Sequence, residues 1–142
     1  MNSKVIIAAL IGGIVAFLLG WLLYGVLLMD FMASNAGSAT GVMKTDPQAS
    51  DFIFVFLGNV GYALLLAYIF DQWANIKTLA TGAKAGALIG LLIGISYDFL
   101  NYGMTNLMNM TGAVADILMS AVMGAVTGAV VAWWLGRGAA TS

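Results

Sequence analysis

The chain has 142 residues, of which 62% are hydrophobic and 8% charged, with a net charge of −1. Soluble domains carry roughly a quarter charged residues, so eleven charges cannot furnish a water-facing surface, and the length allows one domain. With no cysteine, disulfides and thiolate metal centres are excluded, and with no histidine the commonest general base and metal ligand is gone.

Four apolar runs, each near the ~20 residues needed to cross hydrocarbon, predict transmembrane helices over 5–29, 52–70, 79–100 and 114–135. The expected fold is all-α: a four-transmembrane-helix bundle forming a single integral membrane domain over 1–142. The first run follows Lys4 but is longer than the ~7–15 residues of a signal-peptide core and has no small-residue cleavage site after it, so it reads as a retained span. Residues 30–51 form the one sizeable hydrophilic stretch and read as an external loop with room for a short helical piece. Asp46-Pro47 makes a turn just before the second span.

The second span carries Asn59 between Gly58 and Gly61, and the connection after it holds Trp73, an interfacial anchor. The third span has glycine at every fourth position, Gly82, Gly86, Gly90 and Gly94, and ends on Ser96, Tyr97, Asp98 and Asn101. Asn106 and Asn109 follow in the connection. The fourth span opens near Asp116 and repeats the small-residue stripe with Ser120, Gly124, Gly128, Ala132 and Gly136, before the anchors Trp133 and Trp134. On a helix these stripes leave a face without side chains, which in a bilayer lets two helices approach closely. The stripes predict helix packing, within the chain or between copies.

Charge is distributed by side. Lys4, Lys77, Lys84 and Arg137 fall at one end of the spans, and Lys44 alone lies in the long loop. Five of the six acids, Asp30, Asp46, Asp51, Asp98 and Asp116, fall at the other end. Basic residues mark the cytoplasmic side, so both termini are expected inside. Residues 9–32 and 87–110 match at 8 of 24 positions, including Ala-Leu-Ile-Gly and Tyr-Gly. Two duplicated helical hairpins are one reading of this, and shared biased composition is the other.

The polar residues of the spans concentrate in the outer half. Ionisable groups at membrane depth are costly and mark functional candidates. Asp98 and Asp116 come from adjacent antiparallel spans at similar depth, and no basic residue at that depth could pair with them. Two close carboxylates without a cation do not both ionise, so one holds a proton or they share a cation. Asp98, Asp116, Asn101, Asn59 and Tyr97 therefore form the candidate site for an ion, a proton or a polar ligand, its oxygen ligands suiting hard ions or protons. A polar packing network and solvated helix ends are the competing readings. Tyr24 and Tyr62 could also donate into this region, although tyrosine at such depth more often packs. The nine methionines show no ligand spacing and read as flexible packing.

Missing motifs narrow the function. There is no phosphate-binding loop, zinc-protease helix, serine-histidine-aspartate set or nucleic-acid-binding basic stripe. The expectation is a non-enzyme with no catalytic residues, cofactor or metal centre. The lipid bilayer is its main partner, with a second copy or a membrane complex as further partners. Two functions stay open: binding or conducting a proton or cation, or a structural or accessory subunit that associates through its glycine stripes.

The run Ala16-Phe-Leu-Leu-Gly-Trp-Leu-Leu-Tyr-Gly25 with Met32, the stretch Gly86-Ala-Leu-Ile-Gly90 through Tyr97-Asp98 and Asn101, and Val114-Ala-Asp116 together resemble an uncharacterised family of small four-span bacterial membrane proteins. The resemblance implies a four-span architecture in the bacterial inner membrane and points at Tyr97, Asp98, Asn101 and Asp116. It implies no substrate.

Overall fold

The computed structural model describes residues 1–138, so the last four residues of the expected domain lie outside the described part. The fold is all-α. Helix α1 (Ser3–Leu22) runs into a π-helical turn at Leu23–Leu27, and a short helix α2 (Met29–Ser34) follows. Helix α3 (Ala49–Tyr68) also ends in a π-helical turn, Ile69–Trp73, before α4 (Leu79–Met104) and α5 (Met110–Gly136). Counting the π turns, four helices of 25, 25, 26 and 27 residues are long and apolar enough to cross a membrane. At ~1.5 Å per residue each reaches past a ~30 Å hydrocarbon layer. Large apolar side chains such as Trp21, Phe54, Leu92 and Leu100 point outward, as lipid contact requires.

The helices overrun the expected spans because polar caps, which apolarity does not reveal, set their ends. Asn2 accepts from the Val5 amide at 3.1 Å, Thr78 from Thr81 at 3.2 Å and Asn109 from Gly112 at 2.8 Å. Asp51, in the first turn of α3, accepts from the Gln48 amide at 2.8 Å and also takes the Lys44 ammonium. Each of the backbone contacts satisfies an amide that the helix start leaves free. Asn109, the last residue of the connection, is thus also the cap of α5. The first span, α1 with its π-helical turn, ends two residues early, at the break after Leu27.

Packing divides into two tight pairs. α4 lies along α5, and α1 along α3, with α5 also touching α1 and α3. The glycine faces explain the first pair. A methyl on Gly86 would fall on the Gly124 carbonyl oxygen and 3.0 Å from the Gly128 Cα, while one on Gly124 would fall on the Gly86 carbonyl oxygen. Gly82 meets Gly128 and Ala132 in the same way, Gly90 meets the Ser120 backbone, and Gly94 meets Ser120 and Ile117. Close backbone approach of this kind is how helices associate where lipid removes the hydrophobic drive. In α1, Gly12 faces Val131 of α5 and Gly13 faces Val60 of α3, which wedges α1 between them.

The start of α1 and the end of α5 lie at one end of the bundle. There the Lys4 ammonium donates to the Arg137 carbonyl at 2.7 Å, and the Arg137 guanidinium stands 4.3 Å over the Trp133 ring. A dry cluster including Val5, Leu66, Phe70, Val131 and Leu135 fills this end of the bundle. At the opposite end the long loop crosses the α4–α5 connection. Gly37 donates to Leu107 at 2.9 Å, Ala39 to Asn106 at 3.0 Å, and the Asn109 amide to Asn35 at 3.0 Å. Between these ends, α4 and α3 meet little, and a cleft opens between them.

Candidate functional site

The tight α4–α5 crossing sets Asp98 and Asp116 in register. Asp98 stands one turn beyond Gly94, on the same buried face of α4. Gly94 lies against Ser120 and Ile117, one turn from Asp116 on α5. The Asp98 carboxyl comes within hydrogen-bonding reach of the Asp116 carboxyl. Asp98 is fully buried, and neither of its oxygens has a donor. Two carboxylates have no hydrogen between them unless one is protonated.

Asp116 is half-buried and accepts a hydrogen bond from the Tyr24 hydroxyl. Tyr24 belongs to the π-helical turn that extends α1. Such turns shift side chains off the regular helical register and are frequent at functional sites. No lysine or arginine acts on Asp98. The bases Lys4 and Arg137 meet at the far end of the bundle, and Lys44 is paired with Asp51.

Above this group lies a vestibule of about 670 Å³, roofed by the long loop. Met29, Met32, Met43 and Met108 line it together with Tyr24 and Asp116. On the other side of Tyr24 is the cleft between α3 and α4, about 320 Å³, lined by Asn59, Tyr62, Gly90 and Ser120 among others. The Tyr62 hydroxyl is buried without a partner. It sits in the notch of the α4–α5 crossing, 3.0 Å from where a methyl on Gly90 would stand and 2.8 Å from one on Gly124.

The other residues expected at the site are not brought to the acids. The Asn101 amide turns back to the Tyr97 carbonyl at 2.9 Å, and Tyr97 itself is 63% exposed on the outer surface of α4. The Asn59 amide donates to the Val55 carbonyl at 2.8 Å, and Asn59 lines the cleft rather than the carboxyl pair. Such bonds to a carbonyl four residues earlier are the default for an amide inside a helix. The Tyr24 contact is the one that sequence reasoning underweighted. Its signal was a tyrosine placed inside an apolar run.

Chemically, the arrangement is an acid pair, one member buried and one half-buried, with one hydroxyl donor and, among the described residues, no counter-cation, reached from a vestibule at one end of the bundle. Among the described residues no group of three or more metal-ligating acidic, histidine or cysteine side chains occurs. The chain matches no protein-family model, no curated protein and no solved structure, so its class as a four-span membrane protein stands on its own helices.

Proposed function

We propose that this chain is a bacterial inner-membrane protein, with both termini cytoplasmic, that binds a proton or a hard cation at the Asp98–Asp116 pair from the external side. One observation carries the reading: a fully buried carboxyl with two unpartnered oxygens beside a second carboxyl. An arrangement like this is costly in lipid and persists where a proton or cation completes it. The charge map supports the orientation, since the vestibule lies at the acidic end and the sealed end carries the basic residues. The dry cluster at the basic end supports binding from one side. Passage across the membrane requires that cluster to repack. The reading involves no making or breaking of bonds in a substrate and no catalytic role for any residue.

An accessory subunit associating through glycine stripes has weaker support, because α4 and α5 spend those faces on each other. The two readings part in one experiment. Protein in proteoliposomes with a pH-sensitive dye inside is challenged with acid outside, and proton uptake and dye response are followed. Asp98→Asn and Asp116→Asn should each lose the proton uptake and any flux of the native chain. Undiminished uptake in both variants refutes the proposal and leaves the accessory reading.

A further inference from the structure

We infer that the cleft between α3 and α4 holds a short file of water that joins the carboxyl pair to the Tyr62 hydroxyl, and that the ion bound there is a proton. The inference rests on the proposed binding role of Asp98 and Asp116 and names its substrate. Its first support is the buried Tyr62 hydroxyl. That hydroxyl has no protein partner, and the Tyr62 side chain lines the cleft of about 320 Å³. At ~30 Å³ of liquid per molecule the space admits several waters, and a stable water needs two to four polar partners. Asn59, Ser120, Tyr62 and Tyr24 supply them along one wall.

The second support is continuity. Ser120 lies one turn, ~6 Å of axis, below Asp116 on α5. The Tyr62 hydroxyl sits beside Gly124, one further turn down. Tyr24 touches both ends of the path, because its hydroxyl bonds Asp116 and its ring lines the cleft as well as the vestibule. Titratable groups on this path are Asp98 from α4, Asp116 from α5, Tyr24 from the α1 extension and Tyr62 from α3.

The third support is the charge of the lining. Past the carboxyl pair the only polar groups of the cleft are the neutral Asn59, Ser120, Tyr62 and Tyr24, set among Val55, Ile93 and Met123, so a metal ion there would shed its hydration without an anion to replace it. A proton needs no such shell. Each oxygen of the file accepts one proton and releases another, so the charge moves while no oxygen gains or loses a net bond. Below Tyr62 the apolar cluster with Leu66, Phe70 and Val131 ends the file. The hydrated path is therefore a half-channel from the outside to mid-membrane.

The test uses the full chain in lipid nanodiscs. X-ray radiolysis labels side chains beside bound water, and Tyr62 should be labelled in the native protein. Gly58→Leu fills the cleft, and nothing lies within 4 Å of a methyl at that position. Tyr62 labelling should then fall at least about fivefold while Trp73, exposed at the end of the second span, keeps its rate. An unlabelled Tyr62 in the native protein means that an acyl chain fills the cleft, and overturns the inference.

The link to the acids is read by infrared spectroscopy of the protonated-carboxyl band across a pH titration. Tyr62→Phe, which keeps the ring, should shift the midpoint of that band, and Ser120→Ala should do the same. Unshifted midpoints in both overturn the water link, and displacement of the band by sodium at constant pH overturns the proton. A band that survives Asp98→Asn unchanged sinks instead the proposed role of the pair, whatever the labelling result.

Discussion

Replacing Gly86 with alanine should loosen the seam that holds the two acids together. The added methyl would meet the Gly124 carbonyl oxygen and the Gly128 Cα, the latter at 3.0 Å. Both are backbone atoms of a helix, so neither can swing aside, and α4 must back away from α5. A gap of ~0.5–1 Å already forfeits a quarter to a half of each dispersion contact along the seam. Forced overpacking of this kind costs about 1–3 kcal/mol. The helix propensity gained by losing glycine returns at most ~1 kcal/mol, and less than that in lipid, where the unfolded reference remains helical. The net expectation is a loss of ~1–2 kcal/mol, or a five- to thirtyfold fall in the folded-to-unfolded ratio. Gly58→Ala is the control, since its methyl meets nothing within 4 Å. The assay is steric-trap unfolding of both variants in bicelles. If Gly86→Ala proves as stable as Gly58→Ala, the backbone contact does not hold the pair together and the reasoning fails.

Other expectations concern the acids and the orientation. Asp98→Leu removes a fully buried carboxyl beside a second one, so it should raise stability by ~1–3 kcal/mol in thermal unfolding at a pH where the pair has lost its proton, while abolishing proton uptake; a variant destabilised at that pH would show that the acid pair is not a cost to the fold. Tyr24→Phe deletes a hydrogen bond to a carboxylate and should lower stability by ~1.5–3 kcal/mol in the same assay, with Tyr24→Trp no better. An unchanged melting temperature would argue against that bond. The chain has no native cysteine, so a single Thr40→Cys should react with impermeant maleimide on intact spheroplasts and a single Ala74→Cys only after lysis; the opposite pattern reverses the topology.

Much of the architecture was legible because lipid imposes a simple rule. A run of apolar residues of spanning length must be a helix, so all four spans were found and only their ends moved. Those ends depend on single polar caps such as Asn2 and Asn109, which hydropathy ignores. The site was less legible. Depth and the lack of a nearby base singled out Asp98 and Asp116. Asn59 and Asn101 looked equivalent to them in depth, yet a carbonyl one turn back satisfies each amide locally. Tyr24 was legible as a possible donor but not as a member of the site, because tyrosine at such depth more often packs and the π-helical turn that carries it leaves no mark in the sequence. The vestibule was hidden for another reason. Its wall comes from α2, the long loop and the α4–α5 connection, segments that meet only through pairings such as Gly37 with Leu107.

The π-helical turn at Leu23–Leu27 also carries a meaning for how such a chain changes over time. One residue of a regular helix spans ~100° of azimuth, so deleting a single codon there would swing the phenol ring away from its carboxylate without shortening the hydrophobic rod appreciably. An indel of one residue at that position is a far larger functional step than most point substitutions in the same helix.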